Sequence, residues 1–108
     1  MNIINLTPHA LNLIADSKTI TIQPSGQVAR CSVDRVQVDT VTIDGVTIPV
    51  NRTQFGAVTD LPDPQPNTVF IVSSLVAQAV SRADVLAVDD TVRDDQGRIV
   101  GARALARV

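Results

Sequence analysis

Hydrophobic and polar residues alternate along most of the chain with the two-residue period that is typical of β-strands. The first strand is predicted at Ile3 to Leu6, and it ends at Thr7-Pro8-His9 because proline lacks the amide proton that would continue a sheet. Leu11 to Ala15 and Thr19 to Ile22 lie on either side of Asp16-Ser17, which predicts a hairpin. The N-terminal region is therefore predicted to contain three short strands.

The clearest local pattern is the pair of β-branched segments on either side of Asp44-Gly45. Asp-Gly supplies the positive φ angles of a type I′ turn, so a β-hairpin is predicted there. In its register Ile43 faces Val46, and Val41 faces Ile48. We expect these four apolar side chains to be buried on one side of the hairpin.

The strand that leads into this hairpin changes phase. Val36 and Val38 have the parity opposite to that of Val41 and Ile43. The shift predicts a β-bulge or a bend near Asp39, by which one long strand serves two sheets or turns the corner of a barrel.

A loop, a buried strand and the only helix are predicted next. Asp60 to Asn67 contains three prolines and is predicted to be an ordered loop. Thr68 to Val72 follows as a buried strand, with Phe70 in the core. Ser73-Ser74 then caps a helix that is predicted to run through Arg82.

The last hairpin is predicted to turn at Asp95 to Gly97, and Gly101 is interpreted as a bulge in its return strand. Together these elements predict one domain over residues 1–108 with a mainly β (α+β) fold. The expected architecture is a small barrel or sandwich built from antiparallel hairpins, with one short helix. A hydrophobic content of 44% in 108 residues is enough for one small core.

Charge and cysteine content limit the classes of function. The formal net charge of −2 disfavours a non-specific nucleic-acid binder. Cys31 is the single cysteine, and the N-terminus lacks the layout of a secretory signal, so a reducing cytoplasm is expected. The apolar runs are far shorter than the roughly 20 residues of a membrane span, so no membrane association is expected.

Arginine dominates the polar chemistry of the chain. Eight of the nine cationic side chains are arginine, and there is one histidine and no glutamate, tyrosine or tryptophan. Arginine binds phosphate or carboxylate through two parallel hydrogen bonds, but it does not accept a proton at neutral pH. His9 is interpreted as a turn residue, and Cys31 with His9 is disfavoured as a catalytic pair or a zinc site. We therefore predict a protein that binds an anion, with no enzymatic activity, metal or cofactor.

The candidate ligand-binding residues are arginines on strands and turns, together with one aromatic and one acidic residue. They are Arg30, Arg52, Phe55, Arg93, Asp94, Arg98 and Arg103. Arg52 could hold a phosphate while Phe55 stacks on a base. Alternatively, Phe55 belongs to the core and Arg52 pairs with an aspartate. For Arg93 and Arg98, an ion pair that shapes the last turn explains the pattern equally well.

Short motifs occur in a defined order along nearly the whole chain. They are Asn5-Leu6-Thr7-Pro8-His9, Pro24-Ser25-Gly26 with Val28-Ala29-Arg30, Arg52 with Phe55-Gly56, Leu61-Pro62, Ile71-Val72-Ser73, and Val92-Arg93-Asp94 with Gly97-Arg98. Together they resemble a widespread group of small phage and prophage proteins, and this group resembles the anti-Thoeris sponges. Those phage proteins bind and sequester the cyclic ADP-ribose-like signal of bacterial immune enzymes without cleaving it. Some members assemble as oligomers and also hold cyclic oligonucleotides.

The resemblance implies that Arg30 and Arg52 contact phosphate and that Phe55 forms a base-stacking surface or pocket wall. It further implies that Asp94 and Arg103 complete a polar rim, with Arg93 and Arg98 as further candidates from the same hairpin. A barrel this small has little interior space, so the site is expected between subunits of a homo-oligomer, at least a dimer. The expected location is the cytoplasm of a bacterial host.

Two other functions remain open at this point. One is a host-immunity inhibitor, such as an anti-CRISPR protein, that covers a basic surface with the acidic loops at 60–67 or 89–95. The other is a minor virion or assembly component without a ligand.

Overall fold

The computed structural model describes all residues 1–108 and contains eight strands and one short helix. The elements are β1 (Asn2–Asn5), β2 (Leu11–Ala15), β3 (Lys18–Ile22), β4 (Arg30–Ile43), β5 (Val46–Thr59), β6 (Thr68–Ile71), α1 (Ser74–Ala79), β7 (Val85–Arg93) and β8 (Ile99–Ala106). The mainly β fold class with one short helix is confirmed. The helix is not long and apolar enough to cross a membrane.

Six strands form one sheet in the order β1-β6-β7-β8-β2-β3. The hairpins β2–β3 and β7–β8 are antiparallel as predicted, whereas the pairs β1–β6, β6–β7 and β2–β8 are parallel and were not predicted. Parallel neighbours need a crossover, and α1 provides it between β6 and β7. The sheet curls until a parallel bridge joins Asn5 to Pro24, just after β3. The predicted barrel is therefore realised as a curled half-barrel.

The core lies between α1 and the β6–β7 part of the sheet. Phe70 is fully buried, as predicted, and it packs with Leu6, Val72, Val76 and Val85. The helix begins after Ser73, whose hydroxyl accepts a hydrogen bond from the amide of Val76 at 3.4 Å. It ends earlier than predicted, because Val80 already has an extended backbone.

The strands β4 and β5 form a separate two-stranded sheet, called the arm (residues 30–59). Its turn has positive φ at both Asp44 (51°) and Gly45 (77°), as predicted for a type I′ turn. The predicted pairs Ile43–Val46 and Val41–Ile48 are confirmed.

The prediction that these four side chains are buried is wrong. Val41 is 45% exposed, Ile43 56%, Val46 60% and Ile48 42%. The physical reason is that the arm is paired with no third strand, and no other element packs on the face these residues share.

A bulge lies where the phase change predicted it. The register shifts between Gln37 and Asp39, so Val38 is the extra residue. Beyond the shift Val36 pairs with Arg52, two positions along β5 from Val50. Because of this one extra residue, Val36 lies on the same face of β4 as Val41 and Ile43, although its number has the opposite parity.

The arm makes the molecule unusually extended. The radius of gyration is 17.5 Å and the principal extents are 56 × 38 × 21 Å. A compact chain of 108 residues is expected to have a radius of gyration of about 13 Å. Much of the chain thus lies outside the compact half-barrel.

Candidate anion-binding site

Five of the eight arginines are held by partners within the chain, and Arg82 is held most tightly. It donates two hydrogen bonds to the carboxylate of Asp84, at 3.0 and 2.6 Å, and one to the carbonyl of Pro62 at 2.9 Å. Its guanidinium also lies 5.9 Å from the centre of the Phe70 ring. The hydrogen bonds between Arg82 and Asp84 lower the pKa of Asp84 and raise the pKa of Arg82. Arg82 therefore anchors the segment between α1 and β7.

The structure brings three candidate residues together in the β7–β8 turn. Arg93 donates to the carbonyl of Gly97 at 2.7 Å. Asp94 accepts hydrogen bonds from the amides of Gln96 and Arg98 at 2.9 and 3.0 Å, and its second oxygen lies 3.4 Å from Nε of Arg98. These contacts shape the turn, which is the structural alternative left open above. A ligand-binding role for this group remains a prediction.

Arg103 lies further along β8 and is paired with Asp90. The two charged groups are 3.5 Å apart, and both side chains are 57% exposed. Arg103 also lines an open cavity of about 290 Å³ together with Leu13, Ile20 and Leu105. The fifth partnered arginine, Arg107, donates to the carbonyl of Ala83 at 2.7 Å.

The other three arginines have no hydrogen bond or ion pair within the chain. Arg30, Arg35 and Arg52 all lie on the arm, and all three are exposed. Arg30 and Arg52 are the leading candidates from the sequence. Arg35 is absent from the predicted set, although its place between Val33 and Val36 in the same long strand is a signal of the same kind.

Arg30 lines an open cavity of about 370 Å³ where the arm meets the half-barrel. The other lining residues come from three segments: Pro8 after β1, Val28, Ala29 and Cys31 around the start of β4, and Ser73, Leu75 and Val76 at the helix. Small-molecule sites typically have volumes of about 300–1,000 Å³ and a few convergent polar groups. The cavity thus combines a suitable size, an apolar lining and one permanent cation.

Arg52 and Phe55 do not form a clamp within one chain. Arg52 pairs with Val36 and Phe55 pairs with Val33, and the odd spacing between them places their side chains on opposite faces of β5. Phe55 is half-buried near the base of the arm. Neither interpretation of Phe55, stacking surface or core residue, is fully realised in the single chain.

Arg30 and Arg52 are also far apart. Arg30 pairs with Thr59, seven positions from Arg52 along β5. A strand rises about 3.3 Å per residue, so the two arginines are separated by about 20 Å. The two arginines of one chain therefore do not form a compact pair around a single phosphate.

The motif Asn5-Leu6-Thr7-Pro8-His9 has a structural role that the sequence alone does not reveal. Asn5 is 1% exposed, and its amide donates to the carbonyls of His9 and Ile22 at 2.8 and 3.1 Å. Its side-chain oxygen accepts from the amide and the hydroxyl of Thr7 at 2.9 and 2.6 Å. His9 contributes its backbone carbonyl, as expected for a turn residue.

No group of three or more potential metal ligands is present in the chain. Comparison with models of known protein families, with curated proteins and with solved structures finds no match. The candidate site is therefore defined by its own geometry: unpaired arginines on the arm and a cavity at its base.

Proposed function

We propose that the protein binds and sequesters a cyclic nucleotide immune signal, of the cyclic ADP-ribose or cyclic oligonucleotide class, without cleaving it. In this function it is a phage counter-defence protein that acts in the cytoplasm of a bacterial host. The observation that carries the proposal is the set of three exposed, unpaired arginines, all of which lie on the arm.

Unpaired guanidinium groups suit a phosphorylated ligand. Each presents two parallel donors that match two phosphate oxygens, and its charge persists at every physiological pH. Because the net charge of the chain is −2, the attraction for an anion is local to these residues. The apolar wall of the Arg30 cavity provides a surface for a base or ribose next to the charge.

The distance between Arg30 and Arg52 favours a site that involves more than one copy of the chain. Within one copy, the backbones of these two arginines are separated by about 20 Å along the arm. A site completed by a neighbouring copy would add further cations without any change in the fold.

A retention experiment tests this function. The purified protein is incubated separately with cyclic ADP-ribose and with a cyclic dinucleotide, passed through a desalting column and then denatured by heat. The released small molecule is identified by liquid chromatography and mass spectrometry. Recovery of the intact nucleotide is the expected result.

The other outcomes each point to a different class of protein. A chemically altered nucleotide would mean that the protein is an enzyme. If neither nucleotide is retained, the proposed function is wrong, and a protein target or a role in particle assembly becomes the better explanation.

A further inference from the structure

The most prominent feature not used by the proposed function is the apolar side of the arm. Most of the side chains on this face of β4 and β5 are valine and isoleucine, and the same face also carries Asp39, opposite Val50, and Arg52, opposite Val36. This apolar arm face contains Val36, Val41, Ile43, Val46, Ile48 and Val50, with exposed fractions between 37% and 60%. The opposite face near the tip carries the polar pair Thr42–Thr47.

Such an arm is not expected to be stable alone in water. An isolated two-stranded hairpin is marginal at best, and a hydrophobic face needs a covering layer. The bulge at Val38 brings Val36 onto this face, beyond Asp39. The residue pattern therefore fits a surface that is covered in the working state of the protein.

The accessible surface of the single chain is larger than that of a compact monomer of the same mass. The single chain has an accessible surface of 7437 Å², whereas a compact monomer of 11.5 kDa exposes about 5,800 Å². The excess is about 1,600 Å² per chain, and a standard stable interface covers about 800 Å² on each partner. The uncovered area is thus more than sufficient for one stable interface.

From the exposed apolar arm face we infer that the arm is an assembly element, whose apolar face packs against the same face of a second copy of the chain. Two such faces form a small β-sandwich, in which the valine and isoleucine side chains interdigitate, while Asp39 and Arg52 are diagonal neighbours across the two strands. A second copy of the chain covers this face and has its own identical face covered in return, so the two copies form a symmetric pair. The inference concerns assembly and goes beyond the proposed ligand, although Arg52 lies on the same face, next to Val50.

The mass of the protein in solution tests the inference, measured by analytical ultracentrifugation without any nucleotide. The expected mass of the wild type is a multiple of 11.5 kDa. Ile48→Asp places a charge in the apolar arm face and is expected to reduce the mass to that of one chain. Thr47→Asp is the matched control, since it puts the same charge on the neighbouring residue of the opposite face and should leave the mass unchanged.

Three results would overturn the inference: a wild type with the mass of one chain, an Ile48→Asp variant with the wild-type mass, or equal dissociation by Thr47→Asp. Ile20→Asp provides a further control, because Ile20 is 56% exposed on β3, away from the arm. Dissociation by both Ile48→Asp and Ile20→Asp would mean that the arm docks on the half-barrel of its neighbour, which also contradicts an arm-to-arm interface.

A second measurement uses only the wild type and so does not depend on whether a variant folds. Amide hydrogen exchange in residues 36–50 is expected to be slow at high protein concentration and to accelerate on dilution, because the interface protects the arm. Exchange that is fast at every concentration would contradict the inference. Both measurements are made without ligand, so their outcome is independent of the nucleotide-retention experiment.

Discussion

Replacement of Asn5 by alanine is expected to destabilise the fold strongly, although Asn5 lies outside the hydrophobic core cluster. Its side chain is 1% exposed and joins β1 to the turn at His9 and to the end of β3. Two donated and two accepted hydrogen bonds hold these segments together where the sheet curls. Alanine leaves the carbonyls of His9 and Ile22 and the amide of Thr7 without these partners.

The magnitude follows from the number of bonds. A typical internal hydrogen bond contributes about 1 kcal/mol net, and an unsatisfied buried group costs about 1–3 kcal/mol. Alanine leaves three such groups without partners, so the summed cost begins at about 3 kcal/mol. We expect a value near this lower end, because the His9 carbonyl is exposed and can bind water instead. For a domain of this size, this corresponds to a fall in melting temperature of about 10–20 °C.

Urea unfolding followed by far-ultraviolet circular dichroism measures this loss, since the chain contains no tryptophan or tyrosine. Asn2→Ala is the matched control, because Asn2 is exposed on the same strand and its side chain makes no hydrogen bond. A difference below about 0.5 kcal/mol between the two variants, the range of ordinary surface substitutions, would refute the structural role of Asn5. The variant Asn5→Asp tests the direction of these hydrogen bonds. Its new carboxylate would face the carbonyl oxygens of His9 and Ile22, which repel it. The loss of stability in this variant should therefore decrease when acid protonates the carboxylate.

Two further predictions concern the Arg82 ion pair and the packing at Gly101. Arg82 lowers the pKa of Asp84 below the ordinary aspartate value of 3.8. The pair therefore stabilises the fold fully at pH values above 3.8. This contribution is lost as the pH falls through the lowered pKa of Asp84 in the folded state. Asp84→Asn should thus cost about 1 kcal/mol at neutral pH and weaken the loss of stability in acid; an unchanged acid profile in urea titrations would contradict this. Gly101→Ala would place its Cβ 2.8 Å from Cδ1 of Ile14, at an expected cost of about 1–3 kcal/mol. Ile14→Val removes that methyl group, so in thermal unfolding the double variant should lose less stability than the sum of the two single variants.

The local elements of the fold could be predicted because short-range chemistry determines them. Asp44-Gly45 strongly favours a type I′ turn, and the change of parity before Val41 requires one extra residue, which the structure places at Val38. The bulge of the last hairpin was interpreted at Gly101, but the structure places the extra residue one position earlier, at Val100, since Val92 pairs with Gly101 and Arg93 with Ile99. The parallel pairings could not be predicted in this way, because they join segments that are distant along the chain and leave no local pattern.

The burial of the hairpin was predicted wrongly for a related reason. Alternation shows which residues share a face, but it does not show what covers that face. For Val41 and Ile48, the single chain provides no cover. The same limit applies to the arginines. Composition led to the prediction of an anion-binding protein, but only the structure separates Arg82, which is hydrogen-bonded to Asp84, from Arg52, which has no partner in the chain.

Titration calorimetry with cyclic ADP-ribose tests the central claim most directly: unpaired arginines of the arm hold a cyclic nucleotide. Wild type should bind with saturation, whereas Arg52→Ala should lose binding while its unfolding free energy stays within about 1 kcal/mol of wild type. Lys18→Ala is the matched control, since Lys18 is an exposed cation without an ion pair that lies on β3 and not on the arm. Selective loss of binding in Arg52→Ala supports the account. Absence of binding by the wild type, or full binding by Arg52→Ala, would contradict it.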